Sequence, residues 1–189
     1  MAKHGDTTRF LVLGLLREGR LSGYDIRKLT RLRFRLFWSE SFGQIYPCLA
    51  RLSREGLVRV VREDDDGRRR VVYAITPAGR RAFKAWLPRP VAVETMRYEL
   101  LLKVYFTTQA ESAALEPVLD DFKQRSVASL EELKQFHDDV APLMRRHPNH
   151  ASVMAVIRLG MTVFREFASW ADETTRLFAS SAPHSQGKE

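Results

Sequence analysis

The stretch SFGQIYPCLARLSREG, residues 41–56, decides the fold, because it reads as an amphipathic helix with a proline in it. Phe42, Ile45, Leu49 and Leu52 recur at helical spacing on one face. Pro47 nevertheless lacks a backbone N–H, and its ring crowds the carbonyl of residue 43. Two accounts fit. Either Gly43 lets the backbone bend, so that Gly43 and Pro47 set a kink that fixes how Gln44 and Tyr46 are presented, or both residues allow close packing under a neighbouring hairpin. Ser39 is the expected cap of this helix, and Gly56 supplies the left-handed residue that ends it.

Working outward, the chain before this stretch predicts two more helices. Asp6 or Thr7 caps the first, which runs to about Glu18; its apolar run FLVLGLL covers too much of the circumference for a surface helix and predicts deep burial. Ser22 caps the second, with Asp25 three residues on completing a capping box, and Ile26, Leu29 and Leu32 or Leu36 face inward. Arg27, Arg31 and Arg35 recur every four residues on its outer side. After Gly56 the pattern changes to strand: LVRVVR and VVYAIT are rich in β-branched residues and flank EDDDGRR, which predicts a hairpin with a charged tip. Thr76 and Pro77 then open a fourth helix, where a proline at the first position loses nothing. The order helix, helix, helix, strand, tip, strand within about 70 residues is that of a winged helix-turn-helix.

Charge divides the chain. Residues 1–90 hold 20 Lys plus Arg against 9 Asp plus Glu, net +11, and residues 91–189 hold 11 against 14, net −3, within an overall charge of +8. A basic module joined to a mildly acidic one points to a polyanionic partner for the first and a different task for the second. The PRP of residues 88–90 marks the expected junction. At 44% hydrophobic and 29% charged residues the chain is of globular composition. The apolar run Phe10–Leu16 is too short to span a membrane and no small-residue cleavage site follows it, so the expected location is the cytoplasm with no membrane partner. Its one cysteine, Cys48, excludes an intrachain disulfide framework and a multi-cysteine zinc site. A buried small hydrophobe is preferred for it over a redox sensor.

Three segments, LVLGLLREGRLSGYDIRKL, WSESFGQIYPCLARLSREGLV and RRVVYAITPAGRRAFKAWL, closely resemble the PadR family of bacterial transcriptional regulators. GYDI at 23–26, GQIYP at 43–47 and YAITPAG at 73–79 are the most specific elements. MRYELLLKVYF, residues 96–106, resembles the opening of the longer helical domain in the branch that includes phenolic-acid regulators and AphA-like activators. The resemblance implies a mainly α fold with a small β wing: a winged helix-turn-helix DNA-binding domain over 1–90, an α-helical dimerisation and effector domain over 91–179, and a disordered tail over 180–189. It also implies a homodimer that binds a double-stranded DNA operator, with repression as the expected outcome and a small-molecule effector of unknown identity.

Candidate contacts follow from chemistry. In helix-turn-helix proteins the amino-terminal part of the third helix enters the major groove. Ser41, Gln44 and Tyr46 are the residues there that reach phosphates and bases, and Ser39 and Arg51 complete the set on that helix. Tyr24 can donate its hydroxyl to a phosphate near the start of the second helix, Arg27 and Lys28 can clamp phosphates, and Arg68 and Arg69 can reach a narrow minor groove from the wing. Arg70 is expected to begin the strand, and Asp64 to Asp66, repelled by phosphate, to point away from it or lie at the tip. Solvated arginine faces and simple ring packing of Tyr24 are the structural alternatives.

The second half predicts helices over Glu94–Phe106, Glu111 to about Val140 and Ala151–Phe178. Stripes of Leu115, Val118, Leu119, Phe122, Leu130, Leu133 and Phe136, and of Met154, Ile157, Met161, Phe164, Ala168 and Ala171, exceed what a few layers of one chain cover, which favours a homodimer. Trp38, Trp86 and Trp170 with Met96, Met154 and Met161 line an effector pocket or are simply core. His147 and His150 lie in a proline-containing loop without a neighbouring acidic pair, and no nucleophile elbow, phosphate loop or dinucleotide fingerprint appears. Hence no catalytic residue, no metal and no cofactor is expected. The competing class is a winged-helix module for protein interaction, which needs no basic first half.

Overall fold

The computed structural model describes residues 4–34, 38, 42–65, 68–91 and 97–180, and of residues 4–6, 42, 62–65, 68–70 and 144 the backbone alone. Two compact units make up the chain, Met1–Thr95 and Met96–Glu189.

In the first unit, helix α1 (His4–Glu18) leads through the two-residue strand β1 (Leu21–Ser22) into α2 (Gly23–Phe34). A 3-10 turn (Phe42–Gln44) precedes α3 (Ile45–Arg54), then β2 (Val58–Asp65), β3 (Arg68–Ile75) and α4 (Pro77–Trp86) follow. The apolar run of α1 is buried as its composition demands: Val12, Leu13, Leu15 and Leu16 all enter a core shared with Ile26, Ile45, Leu49, Leu52, Val58 and Ile75. Phe10 stacks on Trp86 at 4.7 Å, and Phe83 lies 5.5 Å from the same indole, so α4 closes the open side of α1.

Local chemistry fixes the element ends. The α1 helix starts at His4, ahead of both expected caps; Asp6 and Thr7 fall in its first turn, where unpaired N–H groups tolerate short polar residues. Ser22 and Asp25 form the capping box at the head of α2: the Asp25 N–H donates to Ser22 Oγ at 3.2 Å and the Ser22 N–H donates to Asp25 Oδ2 at 2.8 Å. The inward face of α2 carries Gly23, Ile26 and Thr30, with the Thr30 hydroxyl donating to the Ile26 carbonyl at 2.8 Å. Leu32, expected inside, is exposed: at 100° per residue it stands about 120° from Ile26. Leu36 lies outside the described residues.

At the end of α3 the chain makes a Schellman turn. Gly56 has φ 69°, its N–H donates to the Ser53 carbonyl at 3.1 Å, and the Leu57 N–H reaches the Leu52 carbonyl at 2.9 Å. The sheet has the order β1-β3-β2 and is antiparallel throughout. Its hairpin is longer than the sequence suggests. The EDD and RRR segments are strand and not tip, with Asp65 opposite Arg68, Asp64 opposite Arg69 and Glu63 opposite Arg70. The strand therefore begins at Arg68 and not at Arg70.

In the second unit, α5 (Glu99–Phe106) begins five residues later than expected, after Tyr98 in extended conformation. A 3-10 turn (Gln109–Glu111) then leads into α6 (Ser112–Met144) and α7 (His150–Ser180). Both long helices outrun their expected ends, and His150 opens α7 instead of lying in the loop. Thr108 and Glu111 form another capping box; the Thr108 hydroxyl and N–H donate to the Glu111 carboxylate and hold it below its ordinary range. Contacts of Gln109 with Phe178, Lys123 with Asp172 and Gly160 with Leu133 show that α6 and α7 run antiparallel. Leu115, Leu119, Leu130 and Leu133 of α6 meet Met154, Ile157 and Ala171 of α7 along the expected stripes. Phe122 packs against Phe167 and Trp170. Thus Trp86 belongs to the core of the first unit and Trp170 and Met154 to that of the second, while Met96 lies outside the described residues. The α5 helix buries none of its residues; Leu101, Leu102, Tyr105 and Phe106 are all exposed. The expected tail lies, from residue 181 on, outside the described residues.

Candidate nucleic-acid interface

The question posed by Pro47 has a geometric answer. With Gln44 at the cap position, α3 starts at Ile45 and Pro47 is its third residue. There the backbone N–H has no intrahelical acceptor, so a proline removes nothing. The premise that Pro47 interrupts a helix interior is thereby corrected, because the helix is shorter at its start than the hydrophobic pattern implies. Residues 42–44 form the tighter 3-10 turn instead, and the change of helix type falls between Gln44 and Ile45. Gly43 and Pro47 are both exposed, which removes close packing under the hairpin as their reason.

This start exposes Gln44 and Tyr46 while Ile45, Cys48, Leu49 and Leu52 anchor the other face. Tyr46 is 54% exposed and Tyr24, in the first turn of α2, is 65% exposed. Solvent exposure at that level disposes of buried ring packing as the explanation of Tyr24. The two helix starts meet: a Cβ built on Gly23 would lie 2.6 Å from Tyr46 Cε1. Gly23 therefore lets the Tyr46 ring rest on the head of α2. Sequence reasoning singled out GYDI and GQIYP as separate motifs and missed that the glycine of the first seats the tyrosine of the second.

Gly23→Ala tests this seating. Alanine gains about 1 kcal/mol of helix propensity, which offsets much of the contact it creates, and a half-exposed ring can swing away. The expected result is a thermal midpoint within a few degrees of the parent, with duplex affinity about tenfold lower because Tyr46 is displaced. Unchanged affinity in a binding titration would separate Tyr46 from the interface.

The remaining candidates lie on α2, α3 and β3. Arg27 and Lys28 are exposed on α2, and Arg51 is half-buried on α3. Arg33 of the same α2 surface is already paired with Glu18 at 2.6 Å. Arg68 and Arg69 occupy the first two positions of β3, opposite Asp65 and Asp64 in register. Ser39 and Ser41 lie outside the described residues. Cys48 is buried, as a small apolar residue at that position would be. Among the described residues no cluster of His, Cys, Asp or Glu is built to hold a metal, and no helix is long and apolar enough to cross a membrane.

Residues 12–85 match the transcriptional regulator PadR-like family, and residues 96–179 match the virulence activator alpha C-terminal family. The negative transcriptional regulator PadR of Bacillus subtilis (strain 168) is 28% identical over 171 residues, which cover 87% of this chain and 93% of the relative. The crystal structure of Bacillus subtilis PadR in complex with operator DNA superposes with a TM-score of 0.78 at 27% identity, covering 90% of this chain and 98% of that one. The Vibrio cholerae virulence activator AphA shares the fold, with a TM-score of 0.73 at 24% identity over 93% of this chain and 99% of its own. A winged-helix unit that matches over residues 12–85, followed by a helical unit with the α6–α7 hairpin that matches over residues 96–179, places this chain in the PadR-like family of transcriptional regulators, in the branch that carries the virulence-activator helical domain.

Proposed function

We propose that the protein is a homodimeric, sequence-specific DNA-binding repressor that occupies an inverted-repeat operator, and that it acts in the cytoplasm without catalytic activity. The contact between Gly23 and Tyr46 carries the reading, since it brings the exposed start of α3, with Gln44 and Tyr46, onto the head of α2, where Tyr24 is exposed, on the basic unit. In this reading Gln44 reads a base edge from the start of α3. Tyr24, Tyr46, Ser39 and Ser41 position the helix on phosphates, Arg27, Lys28 and Arg51 clamp the backbone, and Arg68 and Arg69 follow the minor groove. Residues 1–90 bind DNA, and residues 91–179 dimerise and house the response to an effector. A gel-shift against the region upstream of the protein's own gene, with a random duplex as competitor, tests it; equal binding to both would return the protein to the interaction-module class.

Base readout and phosphate contact separate in the same assay. Gln44→Ala should relax preference at one or two base pairs by about 1 to 3 kcal/mol, because a bidentate amide contact to adenine is lost. Arg68→Ala should weaken all sequences alike. If Gln44→Ala lowers specific and random binding by one factor, Gln44 positions and does not read.

Dimerisation is assigned to α5 together with the outer faces of α6 and α7. Four large apolar side chains on an eight-residue helix with no buried residue are an apolar patch of the kind that marks an interface. The double variant Leu102→Asp with Phe106→Asp should sediment as a monomer and retain its helical circular dichroism. Persistence of the dimer would move the interface elsewhere.

A further inference from the structure

Helix α4 carries Arg80, Arg81 and Lys84, all of them exposed. Among the described residues no side-chain hydrogen bond or ion pair engages any of the three, whereas Lys103, Lys123, Arg125 and Lys134 of the second unit each meet a carboxylate. Nor does the neighbouring sequence supply an acid: residues 67–93 contain no Asp or Glu. These charges do not serve the helix. Arg80 ends the first turn, where the dipole favours an acid, and Arg80 and Lys84 are like charges one turn apart, which destabilises an isolated helix. A fourth cation comes from α1, since the Arg17 guanidinium lies 4.6 Å from the centre of the Phe83 ring, which neighbours Arg80 and Lys84 on the helix surface. The face is also remote from the start of α3. Gly79, at the head of α4, lies against the Leu57 carbonyl, beyond the end of α3 opposite to Gln44, and a helix of that length spans about 15 Å. From there α4 follows α1, with Phe83 against Gly14 and Trp86 stacked on Phe10.

We propose that the outer face of α4 is a second surface for double-stranded DNA, so that one molecule holds two duplex segments at once. Charge of a single sign selects this partner. Protein interfaces are depleted of charged residues at their core, lysine among them, whereas a face of arginine and lysine without an acid is the electrostatic footprint of a phosphate backbone. The helix has no Asn, Gln, Ser or Thr, so the contact is with phosphates and is indifferent to sequence. A molecule seated on its operator through α3 then gathers a second segment on α4 and favours a DNA loop or a bridged complex. That consequence rests on the regulator reading; the attraction of α4 for a duplex does not.

The test uses the full-length protein, a biotinylated duplex that the protein has selected from a random pool, and a fluorescent random duplex as the second segment. Beads carrying the selected duplex and the protein should capture the second duplex at least about fivefold above beads carrying the selected duplex alone. Arg80→Gln with Arg81→Gln and Lys84→Gln, which keeps helix propensity, should return capture to background. Affinity for the selected duplex should stay within about twofold, because at physiological salt charges more than about 8 Å apart are largely screened. Arg80→Lys with Arg81→Lys, which preserves the charge, should capture as the parent does. Capture unchanged in the glutamine variant, or absent from the parent, would overturn the proposal, the latter in favour of an acidic protein surface as the partner. An equal loss of both duplexes in the glutamine variant would overturn it by placing α4 in the operator interface. A protein that selects no sequence would defeat the regulator reading instead, and a random-duplex titration would then judge α4 by itself. There the glutamine variant should lose about three units of log–log salt slope per protomer, and a slope equal to the parent's would overturn the proposal.

Discussion

Gly79→Ala is expected to destabilise the winged-helix unit by about 3 to 5 kcal/mol, a large fraction of the 5 to 15 kcal/mol that a domain has in total. A Cβ at this position would lie 2.1 Å from the Leu57 carbonyl oxygen and 2.8 Å from Ile75 Cγ1. The first of these is backbone and cannot rotate away. It is also already in use: the Leu57 carbonyl accepts from the Thr76 N–H at 3.0 Å and from the Thr76 hydroxyl at 3.1 Å. That hydroxyl in turn accepts from the Gly79 N–H at 3.1 Å, which caps α4. One displacement therefore loosens the Schellman turn after α3, the end of β3 and the head of α4 together. Hydrogen exchange with mass spectrometry is the suitable readout. Protection should fall across residues 45–86 while peptides from α6 and α7 stay protected. Thr76→Ala removes the cap together with the hydroxyl's bonds to the Gly56 and Leu57 carbonyls but adds no clash, and should cost about 1 to 2 kcal/mol; a Gly79→Ala protein as stable as that one would show that the backbone yields at this contact.

The same knot shows what the sequence could disclose and what it could not. Thr76, Pro77 and Gly79 announce a helix start by type and spacing, because an N-cap hydroxyl and a proline at the first position act within a few residues of chain. Ser22 with Asp25 and the left-handed Gly56 were legible for the same reason. What Gly79 packs against was not, since Leu57 is 22 positions away and only the fold brings its carbonyl there. Pro47 is the converse. A hydrophobic stripe from Phe42 to Leu52 continues through a 3-10 turn into an α-helix without a break in period, so periodicity placed the helix start too early and made the proline look like a defect. The sequence predicts too short a hairpin because a run of charged residues reads as a loop, whereas the backbone ladder pairs Glu63 with Arg70, Asp64 with Arg69 and Asp65 with Arg68. The tyrosines and Gln44 were visible as residue types suited to DNA. Their assembly depends on the absence of a side chain at Gly23, and one sequence does not reveal the partner of an absent side chain.

Operator affinity should fall by about a thousandfold between 50 and 200 mM salt, a log–log slope on the order of −5 or steeper for the dimer. The charge argument comes from the first 90 residues, net +11 against −3 for the remainder. Phosphates neutralised by their arginines and lysines release condensed counterions, and a two-fold dimer doubles whatever number one protomer releases. Geometry adds a second constraint. Two α3 helices related by a two-fold axis enter successive major grooves on one side of the duplex, so the half-sites should be inverted repeats with centres about 34 Å apart or a multiple of it. Longer separations require the helical domains to hold the two winged units further apart. Footprinting and a salt titration measure both quantities on the same duplex. Disrupting α5 by Leu102→Asp with Phe106→Asp should roughly halve the slope and reduce protection to one half-site, because each released monomer keeps its own phosphate contacts. A nearly flat salt dependence, or a single asymmetric footprint from the intact protein, would contradict the dimeric repressor and leave the basic unit without its polyanion.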